Sequence, residues 1–128
     1  MHKVRALVVP ADPDKPARVV AIDSDLHEIS DLIGGGYVED THYDFAATCL
    51  VDEEGHLKRM RLNTRATKWM REDSHAAEQG RMRNAPPDYV LRGDVCFVGS
   101  DPGTGHISDV PSRLVRYFGA TVERGMEL

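Results

Sequence analysis

No stretch of the chain approaches the ~18 consecutive apolar residues of a membrane-spanning helix. The charged start Met1-His2-Lys3 leads only into Val4 to Val9 before Pro10, so a signal peptide is not expected. There are just two cysteines, Cys49 and Cys96, each inside an apolar, strand-like run. That placement reads as two unpaired core thiols in a reducing cytoplasm rather than a disulfide framework. The glycine-rich turn Gly99-Ser100-Asp101-Pro102-Gly103-Thr104-Gly105 lacks the lysine of a phosphate-binding loop. The six histidines, at positions 2, 27, 42, 56, 75 and 106, are scattered without a nucleophile–base–orienter set. His106 has Ser100 and Thr104 near it, but neighbours in one turn seldom hold the geometry that activates a hydroxyl. Glu39, Asp40, His42 and Asp44, with Asp52 or His56 as remote partners, lack a ligand spacing that a helix or knuckle would enforce. The expectation is a non-enzymatic protein without metal or cofactor.

What is present begins with charge segregation. The formal net charge is −5, yet residues 58–92 carry nine basic groups against four acidic ones, leaving −10 on the remainder. Such a dipolar surface can steer a partner as well as keep the molecule in solution. At 128 residues the chain fits one domain with a core of its own.

Hydrophobic periodicity supplies the elements. Lys3 to Val9 reads as a strand stopped by Pro10, and Ala17 to Ile22 as its hairpin partner across the turn-forming Ala11–Pro16. Leu26, Ile29, Leu32 and Ile33 form the apolar stripe of a helix over 24–33, ended by Gly34-Gly35-Gly36. Tyr37 to Phe45 reads as an exposed strand with an acidic face. Ala46 to Val51 is the next strand, paired across Asp52-Glu53-Glu54-Gly55 with a basic strand from His56 to Leu62. From Asn63 or Thr64, as cap, a helix carries Ala66, Trp69, Met70, Asp73, Ala76 and Ala77 along one side; Gly80 to Pro87 is a loop. Tyr89 to Leu91 and Asp94 to Val98 supply a last core strand or a kinked pair, the kink at Gly93, and Pro111 opens a short helix ending at Gly119. The expected fold is α+β: a mainly antiparallel, twisted sheet of five or six strands, helices 24–33 and 111–118 on one face, and a helix–loop insertion appended at about 68–88.

Several of these segments stand together in one order: Ala6-Leu7-Val8-Val9-Pro10, Val19-Val20-Ala21-Ile22, Leu32-Ile33-Gly34-Gly35, Asp52-Glu53-Glu54-Gly55, Leu62-Asn63-Thr64-Arg65-Ala66-Thr67 and Gly93-Asp94-Val95-Cys96-Phe97-Val98-Gly99. In that order the chain resembles domain of unknown function family 3846, small proteins of phages and other mobile elements. The separation of Ala66 from Gly93 looks lengthened by an insertion around Trp69 to Asp88. The resemblance implies a setting, an accessory gene acting in the cytoplasm of a host cell, and no catalytic residues.

The candidate binding residues are Arg59, Arg61, Asn63, Arg65, Lys68, Trp69, Arg71, Arg81 and Arg83. Trp69, Met70 and Met82 would be apolar anchors rimmed by arginine, a composition enriched at interface cores, and the partner a host protein. Nucleic acid is the alternative: the same cations would neutralise phosphates while Trp69 stacks on a base, although a sequence pI of about 5.6 is low for a dedicated binder. Asn63 would cap a turn, leaving Arg65 to pair with Asp94 or to face a carboxylate or phosphate, which would make the protein a small-ligand or nucleotide sensor. An open sheet edge would also permit a homodimer.

Overall fold

The computed structural model describes residues 3–23, 26–35, 38–44, 47–55, 58–72, 90–100, 103 and 106–122. The chain folds as α+β around one mixed sheet. Its strands are β1 (Lys3–Val9), β2 (Arg18–Asp23), β3 (Val38–Asp44), β4 (Ala47–Asp52), β5 (Val95–Ser100), β6 (Ile107–Ser108) and β7 (Thr121–Val122). The order across the sheet is β3-β4-β5-β1-β2-β7, with β6 paired to β5. Every pairing is antiparallel except the short parallel contact of β7 with β2. β1 and β5 are the middle strands. Accordingly they carry the runs Leu7-Val8-Val9 and Val95-Cys96-Phe97-Val98, apolar on both faces and fully buried.

Alternation along these strands builds two cores. Leu7, Val9, Val19, Cys49, Val51 and Phe97 face one way and meet α2 (Thr64–Glu72) through Ala66, Trp69 and Met70, and α3 (Ser112–Phe118) through Leu114 and Val115. Val4, Ala6, Ile22, Leu50, Cys96 and Val98 face the other way and meet Ile29 and Ile33 of α1 (Leu26–Ile33). The expected placement of the first and last helices on one face is therefore corrected. They cover opposite faces, because the odd positions of β1 meet α3 and the even positions meet α1. Nor is α2 an appendage, since it shares its face of the sheet with α3.

Two connections also differ from expectation. β4 pairs with β3 on one side and β5 on the other, so the described residues 58–62 are not its expected partner strand, while His56 and Leu57 lie outside the described residues. Beyond β4 the chain turns back on itself: Lys58 N–H donates to Glu54 O, Met60 N–H donates to Gly55 O, and Arg59 takes a positive φ of 55°. Only Leu62 regains a strand-like bridge, and it pairs with Arg92. At the other side, β1 and β5 pair only over Leu7–Val9 and Val95–Phe97. Past that point residues 107–110 enter between them. β6 pairs with Gly99 and Ser100, while Val110 N–H donates to Arg5 O and the Asp109 carboxylate accepts from Arg5 N–H, Nε and Nη2 at 2.8, 3.2 and 2.7 Å.

The expected helix ends are present. Gly35 N–H donates to Ser30 O after α1, and Gly119 adopts the left-handed conformation (φ 59°, ψ 40°) after α3. Gly93, at the expected kink, has φ 80°.

Candidate functional site

The segment from Asn63 to Thr67 was singled out by sequence, and its polar groups turn inward. Asn63 is completely buried. Its Nδ2 donates to Val9 O and Gly93 O at 2.8 and 3.0 Å, and its Oδ1 accepts from Ala66 N–H at 3.0 Å. One side chain therefore caps α2 and joins the end of β1 to the approach to β5. Arg65 is turned to backbone carbonyls rather than to Asp94. Its Nη2 donates to Pro10 O, Asp12 O and Lys15 O at 2.7, 3.1 and 2.8 Å, holding the β1–β2 connection by its carbonyls. Asp94 instead accepts from Ala11 N–H at 2.9 Å. Thr67 completes the set, accepting from Leu91 N–H at 2.9 Å. The expected alternatives for Arg65, an ion pair with Asp94 or a bound anion, are thus replaced by a structural clamp, because three carbonyls of the turn converge on the guanidinium.

Trp69 is likewise corrected from exposed anchor to core. It is 2 % exposed and meets Phe97 edge-on, with ring centroids 4.9 Å apart at 82°. Met70 is buried beside it. The reason is register: Ala66, Trp69 and Met70, at i, i+3 and i+4, form the stripe that α2 lays on the sheet. Arg81 and Arg83, like Met82, lie outside the described residues.

Several mid-chain cations are matched within the molecule. Lys58 Nζ lies 2.8 Å from Asp52 Oδ2, and the Asp52 side chain is fully buried. Burial works to raise the Asp52 pKa, but the hydrogen bonds from Lys58 and from Glu54 N–H outweigh it and hold the carboxyl below its ordinary value. The same contact with Asp52 raises Lys58. Arg61, itself largely solvated, reaches a partly buried Asp12 at 3.7 Å, and Arg92 donates to Met60 O.

What remains outward is the other side of α2. Thr64, Lys68, Arg71 and Glu72 are exposed, as is Leu62 at 38 %, with Arg59 and Arg61 preceding it in the chain. Leu62, Thr64, Thr67, Lys68, Arg71, Glu72 and Val90 line a groove of about 340 Å³. Its floor is apolar, made by Leu62, Val90 and the methyl and methylene groups of the helix residues. Its rim carries two cations and one carboxylate, and that carboxylate accepts from the Tyr117 hydroxyl of α3 at 3.2 Å. Sequence reasoning placed Lys68 and Arg71 here but missed Leu62, whose only signal was an apolar residue directly before a helix cap. A second depression, of about 320 Å³, lies between Gly34, Met60, Arg61, Gly93 and the Ala11–Asp12 turn. Among the described residues no group of three or more His, Cys, Asp or Glu side chains could hold a metal ion, and no helix is long and apolar enough to cross a membrane.

Comparison with known families adds one fact. The model of the domain of unknown function DUF3846 matches residues 4–123, nearly the whole chain. The chain belongs to the DUF3846 family. No curated protein and no solved structure matches it. The match spans the sheet from β1 to β7 and the three helices of the described residues, so the Asn63–Arg65 clamp, α2 and the groove all lie within the DUF3846 region.

Proposed function

We propose that this DUF3846 protein is a non-enzymatic accessory protein of a phage or mobile element that binds a host protein through the outer face of α2. The groove carries the reading: an apolar floor beside half-exposed Leu62, with Lys68 and Arg71 on its rim. A lone exposed leucine is ordinary on a protein surface, whereas one opening onto an apolar groove next to cations has the composition of a docking site. Charge complementarity defines the occupant, a host-protein segment with an apolar side chain flanked by aspartate or glutamate. The apolar group supplies the desolvated centre and the cations supply orientation and rate of encounter.

Binding by a basic, tryptophan-containing surface to nucleic acid fits less well. Trp69 is buried and cannot stack, Arg65 is spent on carbonyls, and Lys58 is held by Asp52. The sensor reading loses its guanidinium for the same reason.

The test places a photoreactive side chain at position 64, an exposed residue lining the same groove, and captures host proteins in lysate, with Leu62→Asp, Lys68→Glu and, as surface control, Arg116→Glu. One protein cross-linked at position 64, retained by the control and lost with the other two variants, is the expected result. Equal recovery of every protein by all variants overturns the proposal, as does a gel shift on DNA or RNA that weakens steeply with salt.

A further inference from the structure

Residues 60–63 are held to residues 91–93 by a short ladder. Met60 O accepts from Arg92 Nη1 at 3.1 Å, Arg61 O accepts from Gly93 N–H at 2.7 Å, Leu62 bridges Arg92, and Asn63 N–H donates to Leu91 O at 2.8 Å. The ladder sets Leu62 and Val90 in the wall of the α2 groove. At its start the Met60 side chain lies against two glycines. A Cβ on Gly34 would stand 2.6 Å from Met60 Cε, and one on Gly93 would stand 3.1 Å from Sδ and 3.2 Å from Cε. The thioether thus fills space that only glycine leaves, and ties the ladder to the end of α1. Among the described residues there are two methionines, and they differ in access. Met70 is sealed in the core at 1 % exposed, whereas Met60 is half-buried and lines the depression of about 320 Å³ beside Gly34 and Gly93.

We infer that Met60 is a modification site, oxidised by hydrogen peroxide to the sulfoxide, and that this oxidation frees residues 60–63 and switches the α2 groove off. The sulfur lone pair attacks one peroxide oxygen, and an S–O bond forms as the O–O bond breaks. The hydroxide released takes the proton of the transferred oxygen and leaves as water; sulfur loses two electrons and peroxide gains them. The product carries a polar oxygen where sulfur already meets Gly93 at contact distance, so the side chain must leave its seat. With it goes the tie between the ladder and α1, and Leu62 loses its fixed place in the groove wall. That last consequence rests on the docking reading above; the oxidation and the release of 60–63 do not.

The experiment treats the full chain with dilute hydrogen peroxide, maps sulfoxides by peptide mass spectrometry and follows amide exchange by NMR. Met60 is expected to be oxidised at doses that leave Met70 intact. The Asn63 and Gly93 amides should then exchange about tenfold faster while those of β1 keep their rate, and a methionine sulfoxide reductase should restore the slow exchange. Met60→Leu, close in volume, should not respond to peroxide, and Met60→Gln, polar at the same place, should exchange fast without it. Capture of host protein at position 64 should fall by about the same factor. The inference is overturned if Met60 resists peroxide up to the dose that oxidises Met70, or if its sulfoxide leaves Asn63 and Gly93 unchanged. Faster exchange in β1 as well would make the oxidation a general lesion and overturn it too, as would capture that persists undiminished once 60–63 is free. Local release with no protein captured in either state supports the oxidation site and overturns the docking reading alone.

Discussion

Cys49 stands opposite Phe97, and Cys96 stands opposite Leu50, so the two thiols lie on adjacent strands but on opposite faces of the sheet. No disulfide can join them without unfolding β4 from β5, since the bridge needs both Cβ atoms on one side. Burial pushes the Cys96 thiol up to about 12. Neither thiol should react with an aromatic disulfide reagent in the native protein, and both should react in denaturant. Rapid native labelling of Cys96 would contradict its placement.

Trp69 is the only tryptophan, which makes its emission a direct report on α2. A ring 2 % exposed and packed edge-on against Phe97 should emit at short wavelength and resist quenching by iodide. Trp69→Ala is expected to cost about 3–5 kcal/mol in denaturant unfolding. A mere change in surface affinity with no loss of stability would return Trp69 to the surface.

Asn63 and Arg65 should behave as stability residues. Asn63→Ala removes a helix cap and takes the amide donor from Val9 O and Gly93 O, an expected loss of about 2–4 kcal/mol. Arg65→Ala, at a partly solvated site, should cost about 1–2 kcal/mol. Partner capture by Arg65→Ala, measured at a temperature where the variant is folded, should equal that of the parent chain; Lys68→Glu should show the reverse pattern, normal unfolding and lost capture.

The Asp52–Lys58 pair gives stability a defined pH window. Asp52 titrates below its ordinary 3.8 in the folded chain, so its contribution is present above that value and is lost as pH falls through the lowered one. Lys58 titrates above its ordinary 10.5, so its contribution is present below that value and is lost as pH rises past the raised one. Lys58→Met leaves Asp52 buried without its cation, and the variant should lose more stability at pH 7 than at pH 3. Unfolding curves across that range check the sign.

Gly99 is fixed by space rather than by backbone angle. A Cβ there would lie 2.1 Å from Asp109 O and 2.6 Å from Ser108 Oγ, where β6 crosses close to β5. Gly99→Ala should cost about 1–3 kcal/mol and loosen residues 107–110 first, visible as faster exchange of the Val110 amide.

Strong periodicity was readable in advance. β1, β2, α1, β5 and α3 follow their apolar patterns, and the C-terminal glycines 34 and 119 end the helices as their chemistry requires. Two-residue strands carry no period, so β6 and β7, and with them the one parallel contact, were invisible. Alternation misled between Leu57 and Leu62: its apolar and basic residues imitate a strand, yet the pull of Lys58 on Asp52 closes a turn. At the site, composition located the right helix but assigned its faces wrongly. An arginine-rich segment containing a tryptophan does not say which side chains enter the core; that is set by Ala66, Trp69 and Met70 sharing one stripe above Phe97. Arg65 escaped because backbone carbonyls, its actual partners, leave no mark in a sequence.

The wedge of residues 107–110 between β1 and β5 bears on how the molecule is born. Arg5 finds Asp109 across 104 positions, and the middle of the sheet closes only when Leu7 meets Phe97. While the ribosome is still making the intervening chain, Leu7-Val8-Val9 has β2 on one side and nothing on the other. Assembly of the centre must therefore follow translation of β5 and β6, which leaves a greasy nascent hairpin in need of shelter by a chaperone or by speed.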